Sequence, residues 1–557
     1  MTLSVLPCRY SSIGDSMHPS RRTFLTGAVA AAVAATTGSV APARAAEGSV
    51  PVVQERHRVI VVGSGFGGGV SALRLSQAGV PVTVLERGRW WRTGPNSITF
   101  PNVLAPDKKL LWHGTTPEAV QATLRLLGGA LGPATGGLLD VSPYVGLVEP
   151  VLGKNMLAMC AAGVGGGSLV YQGMTLQPAA QVFEQVMPGG LDYELMDRTY
   201  YPRVAQMLQV ETAPDELVNT PNYKAPRVFK RQAERAGFSV EKIPMPIDWD
   251  YALAELRGEM TPAYTNGAGA MGVNNGGKHS VDVTYIDSAI ATGNVTVRTL
   301  HEVTGVARSA DGSWVLTVNR TDESGKVLER IEMTTGALIM AAGTMNTTRL
   351  LVEARARGTV TDLPDELGTD WGTNGDRIYV WTDLIDNFGA AQGGPVVYGS
   401  KEWADPALAN TIIQASIPPV PLATNVATML VGFGVSEGRG QFRYDDLTGR
   451  AVLDWPANGD TAVHRRIGQR IRATAGLTGP VLDTHLVVPS TWHPLGGASM
   501  GTTCDLDGRV LGQRGLYVLD GALIPGTTAG CNPSMTIAAV AERALDNIVR
   551  NDVGTLI

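Results

Sequence analysis

Two short segments near the C-terminus bring together residue types that can do chemistry. Residues 492–497 contain His493 before a proline, residues 530–533 contain Asn532 before a proline, and glycines bound both segments. Histidine exchanges a proton near neutral pH, and asparagine is a neutral donor and acceptor. Together they can hold a hydroxyl group and accept its proton, as removal of hydride from an alcohol carbon requires. Taken alone, a histidine before proline is more often structural, so the surrounding elements decide the interpretation.

A glycine-rich loop near the start of the folded part predicts a dinucleotide site. The β-branched segment 58–62 is typical of a strand buried on both faces, and the loop 63–68, Gly-Ser-Gly-Phe-Gly-Gly, follows it. In this pattern Gly63 permits the tight turn, Gly65 lets the backbone approach a pyrophosphate, and Gly68 lets the next helix pack close to the strand.

A second strand and an acidic residue complete the pattern. After a predicted helix over 70–77, the apolar segment 80–85 ends at Glu86. This acid lies about 20 residues beyond the glycines, where a carboxylate accepts hydrogen bonds from ribose hydroxyls. A lone glycine-rich loop is a weak signal, whereas strand, loop, helix, strand and acid in this order are a strong one. FAD and NAD share it, so the choice between them depends on the rest of the chain.

Three further segments bear on that choice. Residues 162–170 form a second glycine-rich loop that suits backbone amides lying against a flavin ring or phosphate, although alone it also suits a mobile lid. Residues 338–344 predict a buried strand and a small-residue turn that can approach a nucleotide, and an ordinary core strand is an equal interpretation. Residues 515–521 predict a strand that returns the C-terminal segment to the nucleotide.

These motifs recur in the same order in one family. The fingerprint, the loop Gly165-Gly166-Gly167-Ser168, the His493-Pro494 turn and the Asn532-Pro533 turn together resemble the glucose-methanol-choline (GMC) oxidoreductases, and most of all their bacterial sterol-oxidising members. The resemblance covers most of residues 55–550 and includes the segments 278–285, 370–375 and 516–525.

The resemblance implies FAD as the cofactor and the oxidation of an alcohol as the reaction. It places His493 and Asn532 beside the substrate hydroxyl, near the reactive flavin nitrogen, as the two catalytic residues. No metal site is expected. The implied FAD contacts, taken with the fingerprint glycines Gly63, Gly65 and Gly68, come from Phe66, Gly67, Glu86, Gly167, Met174, Val303 and Gly521.

The implied fold class is α/β. A Rossmann-like FAD-binding domain is assembled from discontinuous segments, and an inserted α+β domain with a large sheet binds the substrate. The FAD-binding segments are expected at 55–100, 276–380 and 491–550. The substrate domain is expected at 101–275, with the flavin-contacting loop 163–174, and at 381–490.

The implied substrate is a sterol or steroid such as cholesterol, whose 3-hydroxyl is oxidised to a ketone while oxygen is reduced to hydrogen peroxide. Sterol oxidases of this kind carry a buried glutamate that moves a proton as the double bond shifts into conjugation. Here the matching position is Ala415, or Ser416 after a one-residue slip, and no Asp or Glu occurs between Asp405 and Glu437. The amide of Gln414 cannot replace a general base. We therefore predict weak or absent isomerisation.

Two alternatives stay open. One is a GMC-type flavin dehydrogenase that acts on another bulky alcohol with an acceptor other than oxygen, and the other is a non-catalytic steroid-binding flavoprotein. The presence of both His493 and Asn532 argues against the second. Tyr171 and Gln172 also depart from the Asn-Gly that the family usually has beside the flavin.

Composition limits the classes of partner. The 45 basic and 51 acidic residues give a net charge of -6 without a long run of one sign, so no nucleic-acid partner is expected. Beyond the N-terminus there is no uninterrupted apolar stretch of the roughly 20 residues that a membrane span requires. Transient contact with a membrane surface would allow an apolar substrate to be extracted, and a monomer is expected.

The N-terminal segment predicts export. The sequence Ser-Arg-Arg-Thr-Phe-Leu at 20–25 precedes an apolar run over 28–35 and an Ala-Arg-Ala-Ala ending at 43–46, which is the order of a twin-arginine signal. Residues 1–46 are therefore assigned to a signal peptide, with Met17 as an alternative start. This route carries folded proteins, so a secreted protein with its cofactor already bound is expected.

Three cysteines follow the signal segment, namely Cys160, Cys504 and Cys531. They permit at most one disulfide, in three pairings, and buried free thiols are the simpler interpretation. None of them shows metal-ligand spacing.

Overall fold

The computed structural model describes residues 50–557 except 103–106, 114–141, 270, 384, 386, 419–422, 478 and 487–488. The predicted signal segment, residues 1–46, lies outside the described residues. The strands are β1 Val52–Val62, β2 Val82–Leu85, β3 Val148–Gly153, β4 Met156–Ala161, β5 Glu241–Lys242, β6 Val295–Arg298, β7 His301–Arg308, β8 Trp314–Thr321, β9 Val327–Met340, β10 Arg377–Thr382, β11 Tyr398–Glu402, β12 Asn410–Ala415, β13 Ala427–Gly434, β14 Gln441–Asp445, β15 Arg450–Asp454, β16 Val481–Asp483, β17 Ser490–Thr491 and β18 Leu516–Val518.

The helices of the same residues are mostly short. They are α1 Phe66–Gln77, α2 Ala180–Val186, α3 Tyr193–Leu195, α4 Tyr201–Met207, α5 Asp215–Val218, α6 Lys224–Arg235, α7 Trp249–Leu256, α8 Asp287–Ala291, α9 Thr344–Ala356, α10 Ala423–Val426, α11 Thr461–Ala475 and α12 Pro533–Asn551. Short 3-10 turns occur at Gly166–Leu169, Pro221–Tyr223, Pro406–Leu408, Thr484–Leu486 and Gly521–Leu523, and π-helical turns at Met196–Tyr200 and Asp282–Ile286.

A seven-stranded sheet carries the glycine fingerprint. Its order is β6-β2-β1-β9-β8-β7, and β18 also pairs with β9. Strands β6, β2, β1, β9 and β18 pair in parallel, whereas β7 and β8 extend β9 with antiparallel pairs. The apolar half of β1, residues 59–62, is buried on both faces as predicted, whereas its polar half lengthens the pairing with β9.

The first and last helices close over one face of this sheet. Helix α1 follows the fingerprint loop, and α12 packs against it. Arg74 of α1 and Tyr285 both reach the fully buried Glu542 of α12, at 2.6 Å and 3.0 Å. Since a buried carboxylate needs such partners, these contacts fix the C-terminal helix, and therefore its N-terminus, against the nucleotide-binding half.

A second, antiparallel sheet stands beside the first. Its order is β16-β10-β13-β12-β11-β5. Helix α11 covers one face. Because Gly432 has no side chain, Ile467 of this helix packs directly against its backbone, and a Cβ added at Gly432 would lie 2.2 Å from the Cγ2 atom of Ile467. The other face is directed toward the candidate site.

The predicted fold class is confirmed, with a mostly parallel α/β sheet and a separate large antiparallel sheet. The strands of the seven-stranded sheet come from three distant stretches of sequence, while β10 spans the expected boundary at residue 380. The domain limits stay predictions. Among the described residues no helix is long and apolar enough to cross a membrane, and Cys160, Cys504 and Cys531 are free thiols.

Candidate active site

The predicted nucleotide loop lies between β1 and α1, where three of its glycines touch neighbouring backbone. Gly63 has a φ of +96°, and a Cβ there would lie 2.1 Å from the carbonyl oxygen of Ala341. A Cβ at Gly67 would lie 1.8 Å from the oxygen of Leu519, and one at Gly68 would lie 2.1 Å from that of Gly63. These positions therefore need glycine so that the loop can pack against the ends of β9 and β18.

A side chain at Gly65 would project into open space, unlike side chains at Gly63, Gly67 and Gly68. A Cβ at Gly65 would lie 3.8 Å from Gly166, and one at Gly167 would meet nothing within 4 Å. The two glycine-rich loops thus border one space with bare backbone, next to the N-terminus of α1. Because amides at a helix N-terminus favour phosphate, this space fits the pyrophosphate of a dinucleotide.

Glu86 lies at the end of β2 and is buried. Its Oε1 accepts hydrogen bonds from the amides of Gly88 at 2.9 Å and Gly163 at 3.1 Å, and its Oε2 accepts one from the Ser64 hydroxyl at 2.6 Å. Burial raises the pKa of Glu86, and the bonds from Ser64 and Gly88 oppose that rise. A carboxylate has about four acceptor positions, so room remains for one ribose hydroxyl.

Val303 and Gly521 lie at two different ends of this site. Strand β7 reaches the Glu86 end, because the His301 amide donates to the Glu86 carbonyl at 3.0 Å, and Val303 is buried two residues further along. Gly521 instead follows β18, where a Cβ would lie 2.5 Å from the hydroxyl oxygen of Thr344. The structure therefore places Val303 on the strand beside Glu86 and Gly521 beside Thr344, and their contacts with FAD stay predictions.

Sequence reasoning missed Asp520, which lies directly before Gly521. Its Oδ2 accepts hydrogen bonds from the Gly343 amide at 2.8 Å and the Thr347 hydroxyl at 2.6 Å, and its Oδ1 accepts one from the Ala522 amide at 2.9 Å. Burial raises the pKa of Asp520 to about 6. The carboxylate joins the turns after β9 and β18, and its place before a predicted cofactor-binding glycine was the available signal.

The segment after the second glycine loop holds polar atoms that other described residues do not satisfy. The Tyr171 hydroxyl and the Oε1 atom of Gln172 are buried without a hydrogen-bond partner in the described part of the chain. Phe66 lies edge-on to Tyr171, with ring centroids 5.7 Å apart. Because unsatisfied buried polar atoms are rare, their presence here fits a bound polar cofactor.

Lys278, from the motif 278–285, lies beneath the same loop. Its Nζ donates to the carbonyl oxygens of Leu169 at 3.1 Å and Tyr171 at 2.7 Å. Burial lowers the pKa of Lys278 to about 7, and Asp282 opposes this shift. The lysine therefore supports the carbonyl end of the 3-10 turn within the second glycine loop.

Asn532 directly precedes α12 and is almost fully buried. Its amide donates to the carbonyl oxygen of Met174 and, at 2.7 Å, to the hydroxyl of Ser534, while its Oδ1 accepts a bond from the Leu176 amide at 3.3 Å. These bonds fasten α12 to the segment after the second glycine loop. Both amide hydrogens are used within the protein, so the predicted contact between Asn532 and a substrate hydroxyl stays a prediction for Oδ1.

His493 lies on the turn after β17, and its side chain is 15% exposed. Its Nδ1 is 2.6 Å from Oδ1 of Asp376. The Thr491 hydroxyl and the Trp492 amide each lie 2.9 Å from the other oxygen of that carboxylate. Sequence reasoning missed Asp376, although this acid directly follows the motif 370–375.

Asn374 belongs to the segment that connects the turns of the two predicted catalytic residues. It is fully buried, its Nδ2 donates to the carbonyl oxygen of Cys531 at 2.7 Å, and its Oδ1 accepts a bond from the Thr528 amide at 2.9 Å. Two residues later the same segment supplies the carboxylate that contacts His493. The turns of His493 and Asn532 therefore depend on one short piece of chain.

One face of the six-stranded sheet covers this site. Phe433 lies edge-on to His493, with ring centroids 6.0 Å apart. Thr411 is opposite Phe433 in the β12–β13 register, and its hydroxyl donates to the carbonyl oxygen of Gly530 at 2.7 Å. Opposite residues of an antiparallel pair share a face, as do alternate residues of a strand. Ala415, four residues along β12 from Thr411, therefore faces the site.

Gln414 and Ser416 offer no substitute for the missing acid. Gln414 faces α11, and its Nε2 donates to the Thr428 hydroxyl at 2.9 Å. The Ser416 hydroxyl donates to the carbonyl oxygen of Gly393 at 2.6 Å. The position expected for the sterol oxidases' glutamate thus faces the site without a carboxylate.

The same face is apolar and partly open. Ile378 is opposite Val431, and Val380 is opposite Met429, in the pairing of β10 with β13. All four side chains are half-buried, and their register places them on the face of Phe433. This row therefore offers an accessible apolar surface that ends beside His493.

Two family models, both described as GMC oxidoreductase, match residues 127–356 and 473–541. Cholesterol oxidase from Mycobacterium tuberculosis (strain ATCC 25618 / H37Rv) is 28% identical over 569 residues, covering 87% of this chain and 90% of that protein. Cholesterol oxidase from Acinetobacter baumannii is 22% identical, covering 88% of this chain and 94% of that protein.

A solved structure extends the likeness to the fold. Pyridoxine 4-oxidase from Mesorbium loti matches with a TM-score of 0.60, covering 89% of this chain and 99% of that one. The two chains are 15% identical, so this match bears on the fold alone.

Proposed function

Since this chain belongs to the GMC oxidoreductases, which are FAD-dependent enzymes acting on CH–OH groups, we propose that it oxidises the 3-hydroxyl of a sterol or steroid. In this proposal the product is the ketone, and oxygen is the electron acceptor and becomes hydrogen peroxide. Similarity to cholesterol oxidases over most of the chain supports both parts.

The observation that carries the proposal is the half-buried apolar row beside His493. Ile378, Val380, Met429 and Val431 present this surface, and the sequence has no Asp or Glu from 406 to 436. A rigid apolar ligand gains about 25 cal/mol for each Å² of apolar surface that it buries. Such a surface selects a bulky apolar alcohol over a small polar one.

Different residues of this chain then accept the proton, orient the substrate and bind the cofactor. The Nε2 atom of His493 accepts the hydroxyl proton as the C–H bond breaks, and the Oδ1 atom of Asn532 is left to orient the hydroxyl. The glycine loops and Glu86 would hold the pyrophosphate and ribose of FAD. Bound FAD supplies the hydride acceptor and, in an oxidase, the route of electrons to oxygen.

Isomerisation is weak or absent in this proposal. Shifting a double bond into conjugation needs a group that removes and returns a proton. Ala415 has no such group, and the hydroxyl of its neighbour Ser416 already bonds to the carbonyl of Gly393. The unshifted ketone is therefore the expected product.

We propose in addition how the protein reaches a substrate that is insoluble in water. Large apolar side chains are exposed along and next to the edge strand β16 of the six-stranded sheet, namely Ile385, Leu477, Leu482 and Leu486. Transient contact of this edge with a membrane surface would let a sterol pass to the apolar row. We also propose that the protein is exported by the twin-arginine route and acts as a monomer.

Peroxide release tests the proposal. The purified yellow protein is incubated in air with cholesterol, and hydrogen peroxide and steroid products are measured together. Equal amounts of peroxide and ketone are expected. Ketone that forms only with an artificial electron acceptor would instead indicate a dehydrogenase. Steroid that alters the flavin spectrum without any product would indicate a binding protein.

A further inference from the structure

Asp376 is the only described carboxylate that bonds to His493, and the surrounding turn is built to hold it. Its side chain is 4% exposed, and its Oδ1 is 2.6 Å from Nδ1 of His493. The Thr491 hydroxyl and the Trp492 amide hold Oδ2, and the Thr491 hydroxyl oxygen also accepts the His493 amide at 2.9 Å. The carboxylate and the imidazole are therefore fixed by one set of hydrogen bonds.

We propose that Asp376 is a positioning residue that acts through His493, an inference that rests on the proposed function. A carboxylate accepts hydrogen bonds, so Nδ1 of His493 carries the proton and donates it to Asp376. The neutral ring then has its lone pair on Nε2, the atom free to accept the substrate proton. The negative charge also stabilises the imidazolium that forms, as a carboxylate behind a catalytic histidine does in hydrolases.

The other charged and titratable groups near this pair make their contacts with residues other than Asp376 and His493. Arg377 bonds to Asp483 at 2.6 Å and lies 3.2 Å from the Nδ1 atom of His464. The ring of His485 lies edge-on to the ring of His464, and burial lowers the pKa of both histidines.

A second buried acid provides a matched control. Asp460 accepts bonds from the Thr373 and Ser436 hydroxyls and from the Gly438 amide at 3.0 Å. It lies close in the fold and is equally buried, but it makes no bond to His493.

The test compares the substitution of each acid alone with the same substitution combined with His493→Gln. Asp376→Asn and Asp460→Asn are made alone and with His493→Gln, and single-turnover flavin reduction is followed in the FAD-bound proteins. Loss of general base assistance costs about 100-fold or more. Asp376→Asn is expected to lower the rate that much with His493 present, with kcat falling and KM little changed, and to have almost no effect in His493→Gln. Asp460→Asn is expected to change the rate by the same factor in both backgrounds.

A second measurement does not depend on activity. Nitrogen-15 NMR of histidine-labelled wild-type protein, with His493 assigned from His493→Gln, reports which ring nitrogen carries the proton. A proton on Nδ1 is expected, and Asp376→Asn should move it. A proton on Nε2 in the wild type, or an equal loss of rate in both backgrounds, would overturn the inference. If no alcohol reduces the wild-type flavin, the proposed function fails, whereas the NMR result still decides the role of Asp376.

Discussion

Phe433 lies edge-on to His493, with ring centroids 6.0 Å apart and ring planes at 87°. Phe433 belongs to the six-stranded sheet, whereas His493 lies on a turn fastened to the nucleotide-binding half. The contact therefore joins an apolar surface to the proposed proton acceptor. In the proposed function, a substrate that lies along this face has its reactive end beside His493.

Replacing Ala415 by glutamate is expected to add double-bond isomerisation to oxidation. The new carboxylate would lie on the site face and could carry a proton during the shift. Leaving it buried without full hydrogen bonding would cost at least about 1–3 kcal/mol of stability, and more when it is ionised. Chromatography of the steroid products gives the ratio of 4-en-3-one to 5-en-3-one.

Gln414→Glu is the matched control for that experiment. It places the same carboxylate one residue earlier, on the face covered by α11, and should leave the product unshifted. Conjugated product formed by the wild type as fast as the ketone would contradict the assignment of Ala415.

His493→Gln is expected to slow flavin reduction by about 100-fold to 10,000-fold, the range for loss of a general base. Bound FAD should be retained, because His493 is not one of its predicted contacts. Stopped-flow absorbance follows the reaction. His464→Gln, which alters a histidine on the α11 side of the sheet, should leave the rate unchanged. Release of FAD from His493→Gln would assign that histidine a structural role.

Gly65→Ala is expected to fold but to bind FAD weakly. The backbone at Gly65 has φ −72° and ψ −160°, which alanine adopts without strain, and the new methyl would enter the space between the glycine loops. Gly336→Ala, on an exposed strand position with nothing within 4 Å of its Cβ, should keep FAD. Flavin content and the melting temperature of the apo-proteins separate the two effects. Full FAD occupancy in Gly65→Ala would place the pyrophosphate elsewhere.

Stability should depend on pH through Lys278. Burial lowers the pKa of Lys278 in the folded protein to about 7, from an ordinary value of 10.5. Between these two values the unfolded chain binds one more proton than the folded one, so the free energy of unfolding rises with pH. Lys278→Met removes this contribution. Urea unfolding should show the wild type gaining on the variant by about 1 kcal/mol per pH unit above pH 7, and a difference that does not vary with pH would contradict the shift.

Local patterns predicted the nucleotide-binding half well, because strand, glycine turn and helix are contiguous there. The differences are small and have physical causes. Strand β2 begins at Val82 rather than at residue 80, since Pro81 has no amide hydrogen to donate. Strand β1 begins at Val52, because its polar residues pair with the long β9.

The surroundings of the site were harder to predict, because they depend on sheet register and on distant contacts. Asp376 and His493 are 117 positions apart, and no local pattern links them. The amide of Asn532 is held by Met174 and Ser534, which a turn motif does not reveal. By contrast, the alternation along β12 places Ala415 on the site face, where the family resemblance expects the missing glutamate.

The most direct test mixes the purified flavoprotein with cholesterol in the absence of oxygen, follows the flavin absorbance, and identifies the steroid released. Bleaching with release of unshifted 5-en-3-one is the predicted result. A flavin that stays oxidised with cholesterol and related 3-hydroxysteroids would contradict the proposal that the apolar face beside His493 serves sterol oxidation.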